Sequence, residues 1–119
     1  MNKKRVDENI MCAKKALEEC GIAKDGKIEK AYRGQISTFG AAVVMGSLKA
    51  AVAFFAEKGG SAVDRPKLLE AMYYVIKNEK VLAKKVLDYV CLSDEKALKE
   101  EFVDASVAIK LAMNFYDLV

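Results

Sequence analysis

The side chains able to move protons, attack carbonyls or hold metals are few in this sequence. Its 119 residues include no histidine and no tryptophan. Ser-His-Asp and Cys-His catalysis are thereby excluded within the chain, as are histidine-built zinc, haem and non-haem iron sites. Acid–base work is left to carboxylates, lysines, tyrosines and cysteines. The carboxylate pairs Glu18-Glu19, Asp94-Glu95 and Glu100-Glu101 are sequence neighbours. On a helix such neighbours point about 100° apart, so they do not converge on one substrate atom. The glycines match neither the Walker nor the dinucleotide fingerprint. The cysteines are Cys12, Cys20 and Cys91. Cys12 and Cys20 stand about 12 Å apart along a helix, too far for a disulfide. They read as buried, reduced thiols of a cytosolic protein. The expectation is a chain that is not an enzyme, with no catalytic residues, no metal site and no cofactor.

The basic residues carry the stronger signal. Lys3, Lys4 and Arg5 precede or open a first helix, and Lys14-Lys15 follow on it. Lys77, Lys80, Lys84 and Lys85 cluster with only Glu79 against them. The net charge of +3 is uneven: basic over residues 1–60, acidic from Asp94 onward. Helix-borne lysines can neutralise phosphates without reading bases, although a solvated face has the same composition. Lys49 stands alone in an apolar run. It either snorkels from the edge of the core or meets an anion in a groove.

The elements that would position these groups are helical. Pro66 is the single proline. Val6, Ile10, Ala13, Leu17 and Cys20 step by four and three, one face of an amphipathic helix. Gly21 is placed to end it and Asp25-Gly26 to turn the chain. A second helix is expected from Lys27; Gly34, Gly40 and Gly46 point to a break or kink near Ser37 to Gly40, or to close backbone packing. A helix from Phe39 to Lys58, apolar nearly all round, would then be buried at the centre. Gly59-Gly60-Ser61 closes it. Asp64 or Arg65 caps the next helix, with Pro66 in its first turn. Asn78 interrupts the pattern, and a stripe from Val81 through Leu82, Val86, Leu87 and Val90 reaches Cys91. Ser93 or Asp94 caps the last helix, whose inner face is Leu98, Phe102, Ala105, Ile109, Ala112, Met113 and Tyr116. Tyr73-Tyr74 and Phe54-Phe55 read as core and interface residues. The expected fold is all-α: a single domain over residues 1–119, a compact bundle of five to six helices with a buried apolar central helix and no strands. Neither a signal peptide nor a membrane span is expected, which points to the cytoplasm.

The segment KIEKAYRGQISTFGAAVVMGSLKAAVAFFAEKGG resembles the small helical subunit of type III-B (Cmr) CRISPR effector complexes. The likeness rests on Tyr32 on the entering helix, Gly46-Ser47-Leu48, the pair Ala51 and Phe54, and Lys58-Gly59. The first helix with Arg5 and the final AIKLAMNFYDLV segment fall where such proteins have them. Met45 stands where family members often carry asparagine. The resemblance implies a non-catalytic antiviral-defence subunit. Such subunits stack with further copies of themselves along the backbone subunits, near the large subunit, and line the channel that holds CRISPR RNA and target RNA.

The expected RNA-binding residues are Arg5, Lys14, Lys15, Arg33, Lys49 and Lys58. Arg5, Lys49 and Lys58 lie on the resembling segments; Lys14, Lys15 and Arg33 rest on charge and helix placement. Two other readings stay open: a helical protein–protein adaptor without nucleic-acid binding, and the small subunit of a type III-A complex. A helix-turn-helix DNA reader fits less well, because the glycine-rich turn leads into an apolar helix.

Overall fold

The computed structural model describes residues 1–60 and 62–119. The described residues form an all-α bundle of six helices: α1 Lys3–Glu19, α2 Lys30–Met45, α3 Leu48–Phe55, α4 Arg65–Lys77, α5 Ala83–Leu92 and α6 Glu95–Ala112. A 3-10 turn, Met113–Phe115, follows α6.

Helix α1 forms where the stripe requires. Asn2 caps it, its Oδ1 accepting from the Arg5 N–H at 3.1 Å. Val6, Ala13, Ala16 and Leu17 are buried. Gly21, at φ +74°, takes the left-handed position that ends the helix. The Gly21 N–H then donates to Glu18 O and the Ile22 N–H to Leu17 O, the pairing of a Schellman stop.

Among the described residues, three two-residue strands form where none was expected, two of them in the expected turn around Asp25-Gly26 and one past the last helix. Strands β1 (Ala23–Lys24) and β2 (Lys27–Ile28) form a hairpin, and β3 (Asp117–Leu118) adds in parallel to β2. Asp25 at φ +53° and Gly26 at φ +75° give the tight turn that matches strand twist. Lys27 and Ile28 are thereby held in the sheet, so the second helix starts at Lys30 instead of Lys27.

The next difference concerns the glycines. Helix α2 runs unbroken through Gly34 and Gly40. Each glycine costs about 1 kcal/mol in a helix. The burial of Tyr32, Ile36, Phe39 and Val43 on one face offsets that cost. The break lies at Gly46, and Ser47 starts α3 by accepting the Ala50 N–H on Oγ at 3.1 Å. The expected helix Phe39–Lys58 is therefore two helices meeting at a corner, and it is not the central one. That place is shared by α4 and α6: each touches all five other helices, and α4 buries Leu68, Leu69, Ala71, Met72, Tyr73, Tyr74 and Val75.

Asp64 is the residue preceding α4, and Asn78 ends it at φ +55°. Val81 and Leu82 fall outside α5, and Leu82 is exposed. Asp94 caps α6 by accepting the Lys96 N–H. Ser61 lies outside the described residues. One core cluster joins all six helices, with Phe39, Phe55 and Phe102 its largest fully buried side chains. The cysteine expectation holds for Cys20, which is buried, but Cys12 is half-buried and Cys91 exposed. Cys91 falls on the outer face of α5, between the buried positions Val86 and Val90 and the exposed Leu92.

Candidate nucleic-acid interface

Lys14 and Arg33 lie on different helices and meet at the same turn. Lys14 is on α1, four residues before Glu18, and its Nζ stands 3.4 Å from Glu18 Oε2. The same Nζ lies 5.9 Å from the Phe115 ring centre and 5.5 Å from that of Tyr116. Arg33, on α2, donates from Nη1 to Asn114 Oδ1 at 2.7 Å. The 3-10 turn is thus held from both sides by cations. The Tyr116 hydroxyl completes the clasp by donating to Glu18 Oε2 at 2.8 Å. This bond, and then Lys14, hold the Glu18 carboxyl below its ordinary value. Burial and the Glu18 charge push the Tyr116 phenol up.

Phe115 is left 54% exposed beside these cations. A solvent-facing ring next to an ammonium group, with a guanidinium on the neighbouring Asn114, is an arrangement on which a base can stack while its phosphate is neutralised. Lys15 is exposed on the adjacent face of α1. The sequence reading missed Asn114 and Phe115 because the apolar stripe of α6 runs on to Met113. The available signal was the asparagine that follows that stripe.

The other expected residues are placed elsewhere. Arg5 lies about 13 Å along α1 from Lys14. Its Nη1 is 3.1 Å from Asp104 Oδ2, a carboxylate on α6 that is fully buried. The Asn2 backbone N–H also donates to Asp104, at 3.2 Å. Arg5 therefore locks the start of α1 to α6, and its remaining guanidinium nitrogens are what it can offer a phosphate. Lys49 is exposed on the outer face of α3, opposite Leu48, Ala51, Val52 and Phe55. Lys58 is exposed in the segment between α3 and α4. In the second lysine group, Lys77 sits over the Tyr89 ring at 5.1 Å. Lys80, Lys84 and Lys85 line an open groove with the exposed Leu82.

Of the aromatic pairs read as core, Tyr73, Tyr74 and Phe55 are buried. Phe54 is 58% exposed and lies under the Arg65 guanidinium, 4.2 Å from its centre. Among the described residues, no group of three or more cysteine, aspartate or glutamate side chains could hold a metal ion. Among those residues, too, no helix is long and apolar enough to cross a membrane. No protein-family model, curated protein or solved structure matches the chain.

Proposed function

We propose that this chain is a non-catalytic, RNA-holding small subunit of a type III-B CRISPR effector complex. Its partners in that reading are CRISPR RNA and target RNA, the backbone and large subunits, and further copies of itself. The type III-A small subunit is the neighbouring reading, and the two share the same RNA chemistry. Support comes from the residues around Tyr32, Gly46-Ser47-Leu48 and Lys58-Gly59. The single observation that carries the RNA reading is the exposed Phe115 ring with the Lys14 ammonium over it, in a turn whose Asn114 is bonded by Arg33. Cations there would take phosphates and the ring would take a base face, with no sequence preference.

Fluorescence anisotropy with a single-stranded RNA across a salt series tests this. Affinity should fall steeply as salt rises. Lys14→Gln with Arg33→Gln should flatten the log–log salt slope by about 0.7 per lost phosphate contact. Phe115→Ala should cost about 1–3 kcal/mol of binding with the slope unchanged. A slope and affinity indifferent to all three substitutions would sink the proposal.

The adaptor reading is favoured by a different observation. The Leu48 N–H donates to Glu95 Oε1 at 2.6 Å, tying the α2–α3 corner to the α5–α6 corner. Val44, Met45 and Leu92, at these corners, are 74%, 88% and 88% exposed. Apolar side chains this open at one tied end of a bundle suit a protein partner.

A further inference from the structure

Three lysines from two parts of the chain line one cavity of about 200 Å³. Lys24 and Lys27 flank the Asp25-Gly26 turn, and Lys67 comes from the first turn of α4. Gly21 brings two of them together. Lys67 Nζ is 3.6 Å, and Lys24 Cε 4.0 Å, from the point where a Cβ on Gly21 would stand. Two ammonium-bearing chains therefore end beside each other, although like charges repel. Among the described residues neither forms an ion pair.

The end of α1 does not need them as caps. The carbonyls of Ala16, Leu17 and Glu18 are already taken by the N–H groups of Cys20, Ile22 and Gly21 at 2.9–3.2 Å. Tyr32 forms a buried wall of the cavity. Glu29 is the one acidic side chain in the lining. The side chains there are thus three lysines and the Tyr32 ring against one carboxylate, with Gly21, Ile22 and Val119 completing the lining. The volume would hold about six waters at ~30 Å³ each, enough for a tetrahedral oxyanion with part of its hydration.

We infer that this cavity seats a phosphate group, with Lys24, Lys27 and Lys67 as its counter-charges. The seat does not depend on the clasp at Phe115, and it can be tested without RNA. Amide signals of Gly21, Ile22, Lys24 and Tyr32 would be followed by NMR during titration with inorganic phosphate, against sodium chloride at matched ionic strength. Saturable shifts with phosphate alone are expected. The apparent affinity should drop about tenfold for each of Lys24→Gln and Lys67→Gln, the loss of one charge-assisted hydrogen bond. Lys27→Gln, on the exposed turn, gives a third variant if Lys67→Gln unfolds the chain. Lys96→Gln on α6 should change nothing.

A uridine decamer without terminal phosphates separates the two sources. If it moves the same signals, the seat takes a phosphodiester; if only inorganic phosphate does, it takes a free phosphate. Shifts that chloride reproduces, or that survive the lysine substitutions, would overturn the inference. A silent cavity in a chain that still binds RNA through Lys14 and Arg33 would sink the seat and leave the RNA reading standing.

Discussion

At the scale of single residues, Arg5 shows how tertiary context reassigns a charge. In the sequence it is one more cation in a basic front. In the fold it neutralises Asp104, a carboxylate with no solvent exposure. A buried carboxylate that loses its partner pays the desolvation cost without the compensating attraction. Arg5→Ala should therefore lower stability by about 2–3 kcal/mol in a urea titration, the Asn2 N–H retaining part of the interaction. A loss below half a kilocalorie would show the pair to be incidental. The cysteines make a second residue-scale case. Burial pushes the Cys20 thiol up to about 11, and the thiolate is the reacting species. Limited alkylation of the native protein near pH 8, read by mass spectrometry, should label exposed Cys91 first and Cys20 last.

At the scale of elements, the corners of the chain are decided by a few backbone positions. Between α3 and α4, Arg65 donates from Nε and Nη2 to Glu57 O at 3.1 and 2.7 Å while its plane covers Phe54. Gly59 sits at φ +53°, and an added Cβ would stand 3.3 Å from Arg65 Nη2. Gly59→Ala thus meets an unfavourable dihedral and a crowded neighbour together. It should cost about 1–2 kcal/mol, with a matching fall in Tm. An unchanged Tm would mean that the segment rearranges without loss. Helix boundaries were legible where capping and periodicity agreed, as at Gly21, Asn78 and Asp94. They were misread between Ser37 and Gly40, because propensity counts the entropy of glycine but not the four side chains that α2 buries along that helix.

At the scale of the whole molecule, the C-terminal turn is tied to α1 through Tyr116 and Glu18. Glu18 has a lowered value in the folded state, so its contribution is complete above its ordinary value of 4.5. That contribution is lost as the pH falls through the lowered folded value. Acid should therefore loosen the turn before it unfolds the bundle. NMR signals of Phe115 and Leu118 should move below about pH 4.5 in the native protein. They should be insensitive to acid in Tyr116→Phe; identical titrations in both proteins would remove the clasp as the cause. The sequence by itself determined the helical class, the helix faces and the lack of histidine chemistry, because periodicity, caps and composition are local properties. Only the tertiary structure decided which charges meet. Arg5 with Asp104, Lys14 with Phe115, Arg33 with Asn114, and Lys24 with Lys67 each join residues between 43 and 101 positions apart. Such pairings depend on how the amphipathic faces of the helices pack around α4 and α6, which no local window of sequence contains.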